Sequence, residues 1–156
     1  MRILIVDDDE GDRYQIKRAL KQAEVVCECS EARDMNEAVN ACASSAFACA
    51  IVDYRLPGCD GLAALSALHN LYPSMPIVMS TGEGDELVAA EAMRRGACDY
   101  IPKATLNAQS MRRAIETALG KVGSEKAARQ QTYELEKSLQ FLEAALGLIA
   151  NMIEKE

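Results

Sequence analysis

Short apolar runs recur through the first hundred residues, each closing on or beside a polar residue and each followed by sequence of helical period. The strand candidates are Arg2 to Asp7, Val25 to Ser30, Phe47 to Asp53, Ile77 to Thr81 and Tyr100 to Pro102. A first helix is predicted from about Glu10 to Ala23, with Tyr14, Ile16, Ala19, Leu20 and Ala23 as apolar contacts. Asp34 opens a second, with Glu37 three residues on as in a capping box. Asp60-Gly61 opens a third, which ends near Asn70 before the Tyr72-Pro73 break. Asp85 opens a fourth that Gly96 closes after the cationic pair Arg94-Arg95, and a fifth spans roughly Leu106 to Leu119. Five βα units with short connections predict an α/β fold, a doubly wound five-stranded parallel sheet with right-handed crossovers.

The texture changes after Gly120 and Gly123. From 124 to 156 there is neither a strand candidate nor a proline, and Leu135, Leu139, Leu142, Leu146, Ile149 and Ile153 alternate steps of four and three, the seam spacing of a coiled coil. Phe141, Ala144, Ala145, Leu148, Ala150 and Met152 widen that stripe almost around the helix. Such a surface calls for partners on several sides. The expected organisation is a domain over 1–120 and a helical extension over 124–156, acting as a coiled coil or as a linker helix. The ordinary alternative is one amphipathic helix folded back on its own domain.

A chain of 156 residues with 49% apolar content suits one such domain plus an appendage. The net charge of -7 and the lack of a Lys/Arg-rich stretch argue against nucleic acid or anionic lipid as partner. The longest apolar run, Ala46 to Val52, is too short to span a bilayer, so the expectation is a cytoplasmic protein without membrane contact. The six cysteines lack zinc-knuckle spacing and read as small core fillers. Cys27-Glu28-Cys29 offers two thiols on one strand face but no second ligand pair, and Cys59 sits in a loop open to oxidation.

If the apolar runs are neighbouring parallel strands, their carboxyl ends bring Asp7, Asp8, Asp53 and Lys103 into one crevice, where open α/β sheets bind ligands. Crowded carboxylates need a shared proton or a bound cation, and a hard, oxygen-seeking ion such as Mg²⁺ suits them. Thr81 ends the fourth run with a hydroxyl and Lys103 follows the fifth with an ammonium. A metal-binding acid pair, a separate carboxylate, a hydroxyl and a cation suit phosphoryl transfer to the carboxylate.

Ile-Val-Asp7-Asp8, Val-Asp53-Tyr-Arg-Leu-Pro-Gly-Cys-Asp-Gly, Ser-Thr81-Gly and Gly-Ala-Cys-Asp-Tyr100-Ile-Pro-Lys103, in that order, resemble the receiver domain of two-component response regulators over roughly residues 1 to 120. The resemblance implies a flavodoxin-like sheet of strand order 2-1-3-4-5, with Asp53 as phosphoryl acceptor. It implies that Asp7, Asp8, Asp53 and the backbone carbonyl of Arg55 surround Mg²⁺, Asp7 acting through water. Thr81 would hydrogen-bond the acyl phosphate and Lys103 would pair with a phosphoryl oxygen, with Thr81 and Tyr100 as the switch. The donor would be a sensor histidine kinase or a histidine phosphotransfer protein. The chain would accept and release phosphate without being an enzyme in the ordinary sense, and it would pass the signal through the face of helix four, strand five and helix five or through a homodimer of 124–156.

Two positions depart from the family pattern: Ala104 follows Lys103 where a proline is usual, and Gly82 follows Thr81. Arg55 and Glu83, each two residues beyond a pocket residue, resemble positions that tune acyl-phosphate hydrolysis. A phosphatase of the haloacid-dehalogenase type is an alternative, with Asp7-Asp8-Asp9 as its acidic motif, though no acidic pair stands near the last strand. A receiver-like scaffold that takes no phosphate is another. The sole histidine, His69, reads as a helix-end cation or a packed side chain.

Overall fold

The computed structural model describes residues 1–82 and 86–154, apart from the side chains at 86 and 121–126. Two compact units divide the chain, Met1–Val122 and Gly123–Glu156. Glu83 and Asp85, singled out in the sequence, lie outside the described residues.

In the first unit, β1 (Arg2–Val6), β2 (Glu28–Ala32), β3 (Cys49–Asp53), β6 (Ile77–Thr81) and β7 (Asp99–Pro102) form one parallel sheet in the order β2-β1-β3-β6-β7. Leaving out a small hairpin, β4 (Arg55–Leu56) with β5 (Cys59–Asp60), this is the 2-1-3-4-5 order. The helices are α1 (Glu10–Gln22), α2 (Met35–Ser44), α3 (Gly61–Leu71), α4 (Glu86–Arg94) and α5 (Ala108–Ile153). Helix α5 runs on through Gly120 and Gly123, where the sequence suggested a break.

The strands alternate between two cores, as the two-residue period of a strand requires. Leu4, Val6, Ala50, Val52, Ile77 and Met79 face the layer of α2, α3 and α4. Ile3, Ile5, Cys49, Ile51, Val78 and Ile101 face the layer of α1 and α5. Burial on both faces explains why these strands read as continuous apolar runs. The edge strands β2 and β7 are the exceptions, and β2 begins later than the run Val25 to Ser30 suggests. Val26 is 87% exposed, while Val25 ends α1, its N–H donating to the Leu20 carbonyl as Glu24 turns at φ 58. Tyr14, expected to be a core contact, is exposed on the outer side of α1.

Side-chain caps start the helices where the sequence indicates: Asp9 accepts from the Asp12 N–H, Asp34 from that of Glu37, and Asp60 from that of Leu62. The Glu37 carboxylate reaches back to the N–H of Arg33, completing a reciprocal cap one residue upstream of the usual box. His69 is packed, its ring beside Gly96. Cys27 and Cys29 touch at 3.8 Å between sulfurs, half-buried against the α1 side, and Cys59 is half-buried with its thiol donating to the Asp60 carbonyl.

In the second unit the apolar residues of α5 have no cover: Tyr133, Leu135, Leu139, Phe141, Leu142, Leu146, Leu148, Ile149, Met152 and Ile153 are between 52% and 75% exposed. No described helix is long and apolar enough to cross a membrane.

Two backbone positions yield stability predictions. Glu24 sits in the left-handed region that glycine occupies without a Cβ penalty, and its ion pair with Arg112 is long, at 3.8 Å, and exposed. Glu24→Gly therefore raises stability by about 1 kcal/mol, ~2–4 °C in Tm for a chain of this size, measured by calorimetry. At Gly61 an added Cβ would lie 2.1 Å from the Tyr54 carbonyl oxygen, so Gly61→Ala displaces the hairpin and lowers stability by about 2 kcal/mol in the same assay.

Candidate functional site

Parity along the strands decides which side chains meet. Asp53 ends β3, and counting by two from Cys49 and Ile51 places it towards the α1 and α5 layer. Asp7, one residue past β1, continues the series Ile3, Ile5, and Lys103, one residue past β7, continues from Ile101. All three therefore emerge on one side of the carboxyl edge. Lys103 Nζ lies 2.9 Å from Asp7 Oδ2, 3.2 Å from Asp53 Oδ1 and 2.6 Å from Asp12 Oδ2 on the first turn of α1.

Thr81 and Tyr100 have the opposite parity. Thr81 follows Ile77 and Met79 and is buried; Tyr100 packs against the α2–α4 side as a partly buried aromatic, one strand away and paired with Met79. Thr81 itself pairs with Pro102, directly before Lys103. Ser80, paired with Asp53, carries a buried hydroxyl without a hydrogen-bond partner. Arg55 begins the hairpin, and its N–H donates to the Asp53 carboxylate.

The electrostatics are unbalanced. Asp7 is fully buried and Asp53 nearly so. Burial pushes the Asp7 carboxyl above its ordinary value, while the N–H of Asp9 at 2.9 Å and the Lys103 ammonium pull it part of the way back. Burial also raises Asp53, with the neighbouring negative Asp7 adding to the effect. Burial alone would lower the Lys103 ammonium, but its hydrogen bond to Asp12 and the close negative charges of Asp7 and Asp53 outweigh this and hold it above the ordinary lysine value. One cation thus faces Asp7, Asp12 and Asp53 together, with Asp8 beside them.

The donors fit a metal cation. Asp7, exposed Asp8 and Asp53 offer carboxylate oxygens within 4.8 Å of one another. Asp7 Oδ2, although 2.9 Å from Lys103, has no aligned hydrogen bond, so a buried oxygen keeps acceptor capacity. Oxygen-only donors with excess negative charge suit a hard divalent ion. By contrast, a cavity of about 580 Å³ lined by Phe47, Leu71, Tyr72 and Met75 has no charged residue in its wall and stands where β3 and β6 begin, at the far end from Asp53.

Two site residues escape the motif reading. Asp12 belongs to the stripe of Ile16, Ala19 and Leu20, the face of α1 turned to the core. A charged residue on that stripe was the available signal, since it needs a partner inside. Arg13 donates from Nη1 to the Asp7 carbonyl at 2.9 Å and from Nε to Glu31 at 3.0 Å, tying α1 to the ends of β1 and β2. Nothing in the local pattern distinguishes it from the other cations of α1.

Residues 3–116 match the family model of the response regulator receiver domain. Curated relatives include the DNA-binding transcriptional regulator NtrC of Salmonella typhimurium, 37% identical over 101 residues that make up 65% of this chain and 21% of that protein. The C4-dicarboxylate transport transcriptional regulatory protein DctD of Pseudomonas aeruginosa is 33% identical over 119 residues, 74% of this chain and 25% of the relative. The chain therefore spans only about a fifth to a quarter of the length of these relatives. Among solved structures, the receiver domain of NtrX from Brucella abortus superposes with a TM-score of 0.69 at 33% identity, over 76% of this chain and 98% of that one. A CheY-like response regulator receiver domain from Methanospirillum hungatei does so with a TM-score of 0.69 at 29% identity, over 80% and 97%. These matches favour the receiver reading over the phosphatase and the scaffold. The chain belongs to the response regulator receiver domain family, whose members accept phosphate from histidine kinases in two-component signalling.

Proposed function

We propose that Asp53 is the phosphoryl acceptor of this chain, that Mg²⁺ is its metal, and that the donor is the phosphohistidine of a sensor kinase or of a histidine phosphotransfer protein. The observation that carries this reading is the gathering of Asp7, Asp8 and Asp53 at the carboxyl edge with Lys103 Nζ 3.2 Å from the Asp53 carboxylate. Asp7, Asp8, Asp53 and the backbone carbonyl of Arg55 would hold the metal. When bound, Mg²⁺ supplies positive charge to the crowded carboxylates and to the oxygens of the transferring group.

In the transfer, an Asp53 oxygen forms a bond to phosphorus as the phosphorus–nitrogen bond to the donor imidazole breaks, leaving an acyl phosphate and a neutral donor histidine once the ring is protonated. Lys103 offsets the charge arriving at Asp53. The Thr81 hydroxyl is drawn towards the new oxygens, and Tyr100, on the same side of the sheet, takes up the space that its movement opens. The surface formed by α4, β7 and the first part of α5 changes with it. On this reading the chain carries its phosphate stoichiometrically and is not an enzyme with turnover on a separate substrate.

The relatives named above are transcriptional regulators, but this chain has a net charge of -7 and no Lys/Arg-rich stretch. We therefore place its contacts with protein in the cytoplasm, not with nucleic acid or membrane. The receiver over 1–120 is joined by an extension over 124–156 whose exposed apolar residues suit a homodimer, with phosphorylation altering its pairing.

Incubation with acetyl phosphate and Mg²⁺, read by intact mass, is expected to give a single phosphoryl adduct that requires Mg²⁺ and is absent in Asp53→Asn. Steady phosphate release that survives Asp53→Asn would point instead to a phosphatase, and a folded protein that takes up no phosphate to a scaffold.

Asp53→Asn is also expected to stabilise the fold in EDTA by about 1 kcal/mol at neutral pH, because it removes a buried charge next to Asp7. The folded-state pKa of Asp53 is raised, so the charged form costs stability above the ordinary value of 3.8 and nothing below it. The gain over wild type should therefore vanish at low pH and grow as pH rises through the raised pKa. The rise in Tm that Mg²⁺ gives wild type should shrink in the variant. Equal melting curves in EDTA at neutral pH would contradict the burial argument.

For the extension, Leu139→Glu with Leu146→Glu should lower the apparent mass in light scattering and leave the acyl-phosphate yield unchanged. Full phosphorylation should shift the wild-type mass or its hydrogen exchange over 124–156, and no change in either would count against signalling through assembly.

A further inference from the structure

The shortest contact in the acid pocket is made by a residue outside every recognised motif: Asp12 Oδ2 stands 2.6 Å from Lys103 Nζ. An ammonium has three N–H donors, and here it has three carboxylates, with Asp12 the nearest and Asp53 the farthest at 3.2 Å. In this arrangement the lysine leans towards α1 and away from the acceptor. An acyl phosphate at Asp53 would bring about -1.5 to -2 of charge and three strong acceptor oxygens to the same ammonium. One of the three existing contacts must then give way.

Asp7 cannot release the lysine cheaply. It is fully buried, with one oxygen already tied to the Asp9 N–H, and it would keep an unpaired charge out of reach of water. The Asp53 contact changes into the phosphoryl contact itself. The Asp12 side chain is 39% exposed, so water can replace Lys103 around it. Asp12 is also held from behind, since its own N–H donates to the Asp9 cap at 2.9 Å. The next residue, Arg13, bridges the Asp7 carbonyl and Glu31. A change at Asp12 is therefore felt by the first turn of α1.

We propose that Asp12 is a positioning residue that holds Lys103 in the unphosphorylated state and competes with the phosphoryl group for it, so that phosphorylation frees the first turn of α1. The inference rests on Asp53 being the acceptor. It makes Asp12 a brake on the reaction, since its charge opposes an incoming phosphoryl group and its hydrogen bond must be broken for Lys103 to turn. The ordinary role of an acid in the first turn of a helix would be a favourable interaction with the helix dipole, felt equally by its neighbour Glu10.

The test compares wild type with Asp12→Asn, Asp12→Glu and Glu10→Gln, the last removing an acid of the same turn that makes no contact with Lys103. Each is incubated with Mg²⁺ and subsaturating acetyl phosphate, and the ratio of phosphorylated to free protein and the decay after donor removal are read by intact mass. Asp12→Asn is expected to raise the ratio by roughly threefold to tenfold, the scale of one charge-assisted hydrogen bond at a half-exposed site, and to slow the decay. Asp12→Glu should return towards wild type and Glu10→Gln should stay there. Hydrogen exchange in the first turn of α1 should rise on phosphorylation of wild type and change little in Asp12→Asn, which already lacks the tether.

A ratio in Asp12→Asn equal to that of wild type, or matched by Glu10→Gln, overturns the proposal, and a lower ratio overturns it by showing that Asp12 helps to present Lys103. In both cases the wild type still takes up phosphate, so the acceptor reading stands. A wild type without any adduct removes that reading and this inference together.

Discussion

One ammonium restrains carboxylates that the sheet itself forces together. Asp7 and Asp53 stand at the ends of adjacent parallel strands with the same parity, so both emerge on the side of Ile5 and Ile51. Lys103 arrives from two strands further along and sits between them and Asp12. A second buried acid without the lysine would be expensive, and the lysine without the acids would lose its reason for being drawn in. The arrangement still carries more negative than positive charge. A divalent ion removes the excess, and a phosphoryl group increases it. The pocket therefore stands at an excess of negative charge and responds to whatever charge is added to it.

The surrounding structure keeps these ends in place. Gly61 lets the chain pass against the Tyr54 carbonyl, so that the hairpin after Asp53 folds tightly and Asp60 can cap α3. Asp9 caps α1 and thereby fixes both the N–H that steadies Asp7 and the helical turn that presents Asp12. Arg13 ties that turn to the backbone of Asp7 and to Glu31 on the edge strand. Among the described residues, the buried side-chain polar atoms without an aligned hydrogen bond are Asp7 Oδ2 and the Ser80 hydroxyl. Polar atoms left open among otherwise satisfied ones are where a ligand finds its first contacts.

The sheet was legible because its three central strands, β1, β3 and β6, are buried on both faces and leave apolar runs that only a central strand explains. Strand β2, at the edge, has only Ala32 fully buried, so hydropathy drew attention to Val25, which closes α1, and to Val26, which is exposed. The β4–β5 hairpin is two residues on each side, too short for periodicity to register. Among the site residues, those that end strands were found from position alone. Asp12 and Arg13 were missed because their partners lie far away in sequence, at 103 and 31, and a single chain read along its length gives no pairing for them. The unbroken α5 also runs against local reading, since Gly120 and Gly123 weaken a helix by only about 1 kcal/mol each and do not end it unless a cap is formed.

Each unit of the chain leaves a different imbalance. In the first it is charge: buried carboxylates that share the Lys103 ammonium. In the second it is apolar surface: from Tyr133 to Ile153, α5 carries exposed leucine, isoleucine, phenylalanine and methionine on more than one face, held internally only by helical bonds and a few local side-chain contacts. An isolated helix of that kind gains little from propensity alone and is stabilised in water mainly by covering its apolar stripe. The first imbalance is answered by small charged species, and the second only by another protein surface. On the proposed reading, chemistry at Asp53 would need only a phosphodonor and a metal ion, whereas output through the extension would depend on concentration and partner. On that reading the difference would let this receiver be loaded with phosphate in one place and read as assembly in another.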